Sequence, residues 1–394
     1  MITIRSGKIL PVLLGVSAAV GTAWAQTPTE VVLHTYVGSK GYDTLGGVIP
    51  DSAGNLYGAT AYGGTADNGV VYRLNAAGYT VLYNFTGLDD GGHPYSGVIL
   101  DSAGNLYGTT LNGGVDGQGV IYKVDTSGHE TVLYSFPGGA EGTSPKQGVI
   151  LDSAGNLYGT TLEGGTSDFG VVYKLDTTGH YTVLHSFKGG ADGDYPEFGN
   201  LVMDPSGNLY GVTDTGGGDP GWGVVYKVDP SGHETVLYIF TNGADGGGPS
   251  GTLIVDGAGN IYGTAESGGT SDYGVVFKLD PSGQETVLYN FTGGADGGDP
   301  NAGVIMDAAG NLYGTTYIGG IAIGYLGDGV VYKVDPSGEE TVLNTFTYAN
   351  GALPSYGSLI LNSAGSLFGT TFAGGQVVEG ARRSGGVIFE ITVQ

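Results

Sequence analysis

Short runs of apolar residues, most of them β-branched or aromatic, follow one another along the chain and are separated by clusters of Gly, Asp, Asn and Ser. One set of four runs occupies residues 97–100, 105–110, 119–124 and 130–136. Runs of this length and composition indicate β-strands, and the residues between them favour tight turns. The pattern therefore predicts units of four short strands joined by hairpins.

The four-strand unit recurs along the whole chain. The phrase Asp-Ser-Ala-Gly-Asn-Leu-Tyr-Gly and its close variants occur seven times at a spacing of 50–55 residues, beginning at Asp51, Asp101, Asp152, Asp204, Asp256, Asp307 and Asn362. Four strands in a repeat of about fifty residues are typical of a β-propeller blade.

The two ends of the sequence complement each other. The seventh unit has only three strands, the third at 386–393, and a run with the pattern of the missing fourth strand lies at 29–36. Pairing the first strand with the last would close the ring and leave no sheet edge exposed. We therefore predict an all-β fold, a single seven-bladed propeller over residues 26–394 with four antiparallel strands per blade, in which the strand at 30–36 completes blade seven against the strand at 387–393.

Residues 1–25 differ from the repeats. Arg5 and Lys8 precede an apolar stretch at 9–20, and Ala-Trp-Ala at 23–25 precedes Gln26. This arrangement predicts a secretory signal peptide, so we expect a mature protein that begins at Gln26 and is secreted, periplasmic or held at the cell surface, without insertion in the membrane. Because the chain has no cysteine, packing between blades has to stabilise it without disulfides.

The chain is strongly acidic, with 38 Asp and Glu against 13 Lys and Arg and a formal net charge of −25. Such a charge repels phosphate backbones, so nucleic acid is not an expected partner. One position of the third strand is basic in six units, and we expect these side chains to pair with neighbouring carboxylates. They are Arg73, Lys123, Lys174, Lys227, Lys278 and Lys333.

Aromatic residues recur at one position on each of strands two, three and four, for example Tyr107, Tyr122 and Phe136. Because each blade packs on two neighbours, large side chains are expected on both faces of its strands. We interpret these three positions as packing residues and not as a ligand site.

The units differ most in two kinds of loop, those that join strand two to strand three and those that lead to the next blade. In an antiparallel blade both emerge on one face, called here the long-loop face. Loops on a rigid scaffold commonly carry function, so we expect any ligand to bind on this face.

Our preferred interpretation is an exported, non-catalytic binding or scaffold protein whose ligand is an extracellular carbohydrate or protein. Five aromatic residues of the loops are expected to be exposed beside Asp and Asn, an arrangement that suits stacking on sugar rings. They are Trp222, Phe169, Tyr273, Tyr95 and Tyr195. The predicted binding residues are Tyr95, Tyr195, Asp219, Trp222 and Arg382.

The alternative from another class is a carbohydrate-active enzyme, a polysaccharide lyase or hydrolase, with its site on the same face. His93 has no counterpart in the other units, and with Tyr95, Arg382 and Arg383 it could supply a general base and a cation. The sequence contains no recognisable serine triad, paired-glutamate motif or phosphate loop.

Calcium is the only cofactor that the sequence suggests, at acidic loops that contain Asp192, Asp245 and Asp296. Calcium takes six to eight oxygen ligands. One aspartate per loop is too few unless neighbouring loops converge, and the Asp-x-Asp-x-Asp-Gly spacing is absent.

The unit at 148–165, followed by Val-Val-Tyr-Lys at 171–174, resembles the GloVer tandem repeat, which is found in exported bacterial proteins described as having a choice of anchor. The resemblance covers residues 29–394 and rests on the core Asn-Leu-Tyr-Gly-Thr-Thr-x-x-Gly-Gly. It departs from that core at 212–214, at 265–266 and at 366–368. The resemblance implies export and a propeller-like fold, and it implies no particular activity.

Overall fold

The computed structural model describes residues 28–320, 327–354, 356–375 and 385–393. These residues form seven four-stranded antiparallel sheets, arranged as the blades of a propeller. The predicted fold class is confirmed. The predicted signal peptide and the cleavage position before Gln26 lie outside the described residues. No helix in the described part of the chain has the length and apolarity that a bilayer crossing requires.

The strands are numbered in chain order, and each blade is given from its inner strand outward. Blade one consists of β2 (Ile49–Pro50), β3 (Leu56–Thr60), β4 (Val70–Asn75) and β5 (Gly78–Asn84). Blade two consists of β6 (Ile99–Leu100), β7 (Leu106–Thr110), β8 (Val120–Val124) and β9 (Glu130–Ser135). Blade three consists of β10 (Ile150–Leu151), β11 (Leu157–Thr161), β12 (Val171–Leu175) and β13 (Tyr181–Ser186). Blade four consists of β14 (Val202–Met203), β15 (Leu209–Thr213), β16 (Val224–Val228) and β17 (Glu234–Ile239). Blade five consists of β18 (Gly247–Val255), β19 (Ile261–Ser267), β20 (Val275–Leu279) and β21 (Glu285–Asn290). Blade six consists of β22 (Ile305–Met306), β23 (Leu312–Thr316), β24 (Val330–Val334) and β25 (Glu340–Thr345). Blade seven consists of β26 (Ile360–Leu361), β27 (Ser366–Thr370), β28 (Val387–Thr392) and β1 (Thr29–Thr35). Single turns of 3₁₀ helix lie at Gly38–Lys40, Gly139–Glu141 and Gly190–Asp192.

The recurrent Asp-Ser-Ala-Gly-Asn-Leu-Tyr phrase forms the turn between the first two strands. In blade two, Asp101 Oδ1 accepts hydrogen bonds from the backbone N–H groups of Ala103 (2.9 Å) and Asn105 (2.8 Å). Its Oδ2 accepts from Asn105 Nδ2 (2.7 Å) and from the Tyr107 hydroxyl (3.0 Å). One carboxylate therefore ties the turn to strand two, which explains why Asp, Asn and Tyr recur together.

Seven hydrophobic clusters hold the ring together, one at each boundary between blades. At the centre of each boundary, the strand-four aromatic of one blade packs edge to face on the strand-three aromatic of the next. The pairs, with their ring-centroid distances, are Tyr36–Tyr72 (5.6 Å), Phe85–Tyr122 (4.9 Å), Phe136–Tyr173 (5.4 Å), Phe187–Tyr226 (5.1 Å), Phe240–Phe277 (5.1 Å), Phe291–Tyr332 (5.0 Å) and Phe346–Phe389 (5.1 Å). The predicted packing role of these two positions is confirmed.

Blade seven is completed by the first strand, as predicted. β1 pairs antiparallel with β28 from Thr29 opposite Thr392 to Thr35 opposite Val387. Just beyond the strand, the Tyr36 N–H donates to the Gly386 carbonyl at 3.0 Å, and the Tyr36 ring is fully buried. The strand thus closes the ring by a backbone ladder and by a core side chain.

The basic third-strand position forms no ion pair within 4.0 Å among the described residues, where such pairs join Lys146 with Glu197 and His185 with Asp192. Lys278 and Lys333 do interact electrostatically with Asp280 and Asp335, so the expected pairing with carboxylates holds only at longer range. Lys123 lies directly opposite Tyr107 in the ladder, with its ammonium 5.9 Å from that ring centroid. Lys174 and Lys278 make the same contact with their strand-two tyrosines, at 5.6 Å and 5.7 Å. The ladder therefore adds an aromatic contact that the sequence argument did not include.

The glycine of strand two is required by the aromatic residue opposite it. A Cβ added to Gly159 would lie 2.5 Å from the Tyr173 hydroxyl. We expect Gly159→Ala to lower the free energy of unfolding by roughly 1–3 kcal/mol, because the buried ring has to shift to make room. Thermal unfolding measures the loss. Gly257→Ala is the matched control, since its Cβ would meet no atom within 4 Å, and equal melting of the two variants would contradict the prediction.

Candidate functional site

Seven inner segments, one before the first strand of each blade, surround a central channel. In blade two this segment begins with the bridge between Gly92 and Asn112, and the His93 N–H donates to the Asn68 carbonyl of the preceding blade at 2.8 Å. Neighbouring segments touch through their backbones: a Cβ on Gly97 would lie 2.9 Å from the Gly47 carbonyl oxygen. The channel is therefore narrow at these glycines.

Two repeat positions that differ between blades surround the end of the channel on the long-loop face, which we call the channel mouth. The first follows the inner-segment proline, or its equivalent in blade one, and is occupied by Leu45, Tyr95, Lys146, Glu197, Ser250 and Asn301. Phe198 and Tyr356 lie one residue further along their segments in blades four and seven. The second position follows the Thr-Thr of strand two and is occupied by Ala61, Leu111, Leu162, Asp214, Glu266, Tyr317 and Phe372. The residues at the boundaries between blades are similar in every repeat, whereas the residues of the channel mouth differ from blade to blade.

Two cavities open at the channel mouth. One, of about 260 Å³, extends towards the glycines and is bordered by Leu45, Tyr95, Lys146, Phe198 and Tyr356. The other, of about 340 Å³, is bordered by Asp43, Leu45, Tyr62, Tyr95, Tyr317, Tyr356 and Phe372. Aromatic side chains of four blades thus surround the second cavity.

The aromatic groups of the mouth contact one another in defined geometry. The rings of Phe198 and Tyr356, from blades four and seven, are parallel, with centroids 4.7 Å apart and planes at 7°. The hydroxyls of Tyr62 and Tyr95 are 3.2 Å apart. Burial, followed by the contact with Tyr62, raises the pKa of Tyr95 to about 12, so this hydroxyl keeps its proton and can donate. The mouth therefore combines flat apolar faces with neutral hydroxyl groups.

Carboxyl groups occupy the opposite side of the mouth. A Cβ on Gly248 would lie 3.2 Å from Glu266 Oε1 and 3.3 Å from Asp214 Oδ1, so the two carboxyls face the same point. Burial, with Glu197 and Asp194 nearby, raises the pKa of Asp214 to about 6.

The pKa of Glu266 is raised as well. Burial, with Asp214, Asp299 and Glu197 nearby, raises its pKa to about 7. No donor among the described residues forms a hydrogen bond with the carboxyl of Asp214 or Glu266. Both groups are therefore free to accept hydrogen bonds from a ligand.

Lys146 is the basic residue of the mouth. Its ammonium is paired with the Glu197 carboxylate and lies 4.8 Å from the centroid of the Phe198 ring. The Gln147 amide donates to the Glu197 backbone carbonyl and keeps the two segments together. The cation is thus held between a carboxylate and an aromatic face.

Of the residues predicted from the sequence, Tyr95 lines both cavities. His93 lies beside it, with its ring 4.9 Å from Tyr62 and its Nδ1 3.4 Å from Asn112 Nδ2. Burial lowers the pKa of His93, which favours the neutral imidazole. Arg382 and Arg383 lie outside the described residues, so the structure brings together only His93 and Tyr95 of the predicted catalytic set.

Tyr195, Asp219 and Trp222 border neither cavity of the mouth. Tyr195 packs on Phe169 with ring centroids 5.6 Å apart, and Asp219 is exposed in its loop. We expected Trp222 and Phe169 to be exposed, which is wrong: both are half-buried and pack against core clusters. The reason is that their backbones bridge the blades, as when the Trp222 carbonyl accepts from Gly248 N–H at 2.9 Å.

The three aspartates suggested for calcium lie in separate blades. Asp245 accepts hydrogen bonds within its own loop from the Thr241 N–H (2.9 Å) and from the Tyr238 hydroxyl (3.2 Å), and Asp296 makes equivalent contacts. Asp192 lies 3.7 Å from His185 Nε2. Within the ranges that the structure describes, no group of three or more His, Cys, Asp or Glu side chains is arranged to hold a metal ion. The loops do not bring Asp192, Asp245 and Asp296 together.

Sequence reasoning missed most of the mouth, including Phe198, Tyr356 and Tyr317. A signal for two of its members was present, since Asp214 and Glu266 are acidic at a repeat position that is apolar in blades one to three. A polar residue that replaces an apolar one at a single repeat position is the feature that would have identified them.

Solved structures share the propeller fold at low sequence identity. The extracellular domain of a protein assigned to a hybrid two-component system of B. thetaiotaomicron has a TM-score of 0.55 at 13% identity, over 92% of this chain and 41% of that one. A protein assigned as a 6-phosphogluconolactonase from Bacteroides uniformis has a TM-score of 0.52 at 18% identity, over 81% and 88% of the two chains. PorZ, a surface component of the type-IX secretion system of Porphyromonas gingivalis, has a TM-score of 0.52 at 14% identity, over 92% and 48%. At these identities the similarity shows the fold alone.

Sequence comparison identifies the family. No curated protein matches the chain. A profile described as the Gloeobacter/Verrucomicrobia repeat matches residues 13–220 and 198–394. These matches include all seven copies of the Asn-Leu-Tyr-Gly unit and its variants, and they agree with the resemblance noted from that unit. The protein therefore belongs to the Gloeobacter/Verrucomicrobia repeat family.

Proposed function

We propose that the protein is an exported, non-catalytic propeller that binds a carbohydrate at the channel mouth. The observation that supports this most strongly is the aromatic wall of the 340 Å³ cavity, to which Tyr62, Tyr95, Tyr317 and Tyr356 contribute. That volume is at the lower end of the range for small-molecule sites, which are mostly apolar with a few placed polar groups.

The chemistry of the mouth suits a sugar ring. The apolar C–H face of a pyranose stacks on aromatic rings, while its hydroxyls need donors and acceptors at the rim. Phe198 and Tyr356 present the rings, and Asp214 and Glu266 present acceptors that no described residue occupies. Asp214 and Glu266 border neither cavity, so a ligand that meets both halves of the mouth has to extend beyond the cavities.

Export is part of the proposal. The basic start and apolar stretch of residues 1–25 support it, and an extracellular glycan would then be the partner. The net charge of −25 argues against a nucleic-acid ligand. We propose no cofactor for binding.

We expect Tyr356→Ala to weaken carbohydrate binding about tenfold, because it removes one ring of the stacked pair and part of the cavity wall. Calorimetric titration of purified protein with neutral, anionic and cationic oligosaccharides identifies the ligand and measures this loss. Tyr348→Ala is the control, since that side chain is 50% exposed and lies outside both cavities.

The opposite result would place the site elsewhere. If Tyr356→Ala binds a verified glycan normally while Trp222→Ala does not, the ligand contacts the outer loops and not the channel mouth. In that case the sequence-based choice of Tyr195, Asp219 and Trp222 would be the better guide.

A hydrolase is the second candidate function, favoured by one observation. Asp214 and Glu266 form a facing carboxyl pair, and burial and nearby carboxylates raise the pKa values of both towards neutrality, as general acid and base catalysis requires. The same oligosaccharide panel separates the two functions, since only an enzyme generates new reducing ends.

A further inference from the structure

The charged groups of the channel mouth are mostly acidic. Asp214 interacts electrostatically with Glu197 and Asp194, and Glu266 interacts with Asp214, Asp299 and Glu197. Tyr356 also interacts electrostatically with Glu266, Glu197 and Asp214, so the carboxyls lie within electrostatic range of the aromatic wall. Lys146 offsets one of these charges through its pair with Glu197. The mouth therefore retains an excess of negative charge in a partly dehydrated setting.

A neutral acceptor lies in the inner segment of blade six. Asn301 occupies the repeat position held by Tyr95 and Lys146 in other blades, and its side chain is only 5% exposed. Its Oδ1 has no hydrogen-bond partner among the described residues, and Asn301 borders neither of the two cavities. The carboxyls of Asp214 and Glu266, which accept no hydrogen bond from a described residue, are therefore the acceptors that a ligand with donors would meet.

Lys146 shows how a cation is held at this place. Its ammonium lies over the face of Phe198 and against a carboxylate, and it lowers the pKa of the nearby Asp214. Phe198 in turn stacks on Tyr356. The same combination of aromatic faces and carboxylates recognises ammonium groups of ligands in other proteins.

From these observations we propose that the carbohydrate bound at the channel mouth is an amino sugar, whose protonated amine is received by Asp214 and Glu266. The inference rests on the proposed carbohydrate binding and narrows it to a class of ligand. The sugar ring would stack on Tyr356 and the wall of the cavity, and the amine would supply the charge and the donors that the acidic half lacks.

The raised pKa values of the Asp214 and Glu266 carboxyls predict that the affinity for an amino sugar depends on pH. Their pKa values of about 6 and 7 in the free protein mean that both are ionised only above neutral pH. A bound ammonium favours the ionised forms, so affinity should rise from pH 5 to pH 7 and binding at pH 6 should release protons. Asp194, Glu197, Asp299 and Lys146 face the same region and set these values.

The test compares two ligands with one backbone, oligosaccharides of glucosamine and their N-acetylated counterparts, in calorimetric titrations at pH 7. We expect the amine form to bind more tightly. The double variant Asp214→Asn, Glu266→Gln should lose about tenfold to hundredfold in affinity for the amine form and little for the acetylated form. Asp116→Asn is the matched control, since it removes an exposed carboxylate from a loop on the same face. Thermal unfolding of each variant checks that the fold is intact.

Each outcome decides between the two proposals. If the acetylated oligosaccharides or another neutral glycan bind as tightly as the amine form, the amino-sugar inference fails while carbohydrate binding stands. If the double variant retains the affinity of Asp116→Asn for the amine form, attraction is a property of the whole acidic surface, and the inference fails. If no oligosaccharide binds and Tyr356→Ala changes nothing, both proposals fail.

Discussion

Removing the first strand will unfold the propeller. A chain shortened to begin at residue 39 lacks all of β1, so the ladder to β28 is lost and a sheet edge becomes exposed. It also lacks Tyr36, a fully buried ring of the cluster between blades seven and one. Loss of one large core side chain alone costs about 3–5 kcal/mol, against a total stability of about 5–15 kcal/mol. We expect an aggregated product, or a loss of most of the cooperative transition in thermal unfolding.

Point variants separate edge exposure from loss of the core. Tyr36→Ala removes the buried ring and keeps the strand, so it should be soluble but melt at a lower temperature. Val31→Thr, on the same strand at a side chain that is 49% exposed, should melt like the parent protein. A truncated chain that melts at the parent temperature would show that the ring is held together without β1.

Stability should fall as the pH rises from about 5 to 8, because of four glutamates at the start of outer strands. Burial raises the pKa of each to about 7, and the second cause in each case is an aspartate of the preceding blade. The pairs are Glu130 with Asp90, Glu234 with Asp192, Glu285 with Asp245 and Glu340 with Asp296. In all four, the glutamate Oε1 is buried without a hydrogen-bond partner among the described residues.

The sign of the effect follows from proton binding. Between the ordinary pKa of 4.5 and the folded value of about 7, the folded protein holds more protons on these glutamates than the unfolded chain does. Raising the pH through this interval therefore favours unfolding. Buried histidines act in the opposite direction, as for His34, whose pKa is lowered to about 4, but they are fewer.

The melting temperatures of variants at two adjacent glutamates test this prediction. Glu340→Gln keeps the shape of the side chain and removes its charge, so its melting temperature should exceed that of the parent at pH 8 and match it at pH 4.5. Glu339→Gln, at the exposed neighbour, should follow the parent at both values. A Glu340→Gln protein whose melting temperature changes with pH as the parent's does would show that this pair does not destabilise the folded state.

The fold was predictable because its determinants recur in each repeat. Asp101, with Asn105 and Tyr107, specifies a turn within one blade. The pairing of Phe136 with Tyr173 specifies the boundary between two adjacent blades. The basic strand-three position was predicted only in part. In blade two it lies across the ladder from a tyrosine, a contact that an argument from charge alone overlooks.

The channel mouth was less predictable, because its members come from different blades and meet only after the ring forms. Phe198 and Tyr356 are far apart in the sequence and stack in space. Tyr95 and Trp222 were both selected as aromatic residues of the variable loops, but Tyr95 lines the mouth, whereas the backbone of Trp222 bridges two blades. An acidic residue at an inner position that is apolar in other blades, as at Asp214 and Glu266, is a signal that the choice of binding residues did not use.

The split blade also determines the order in which the molecule can fold. Blades one to six each draw all four strands from a continuous piece of chain, so they can form one after another as the polypeptide emerges. β1 is made first, yet its partner β28 is made last, so it has to remain unpaired until synthesis has passed Thr392. Closing so long a loop is slow compared with forming hairpins. We therefore expect the contact between β1 and β28 to be the last part of the ring to form.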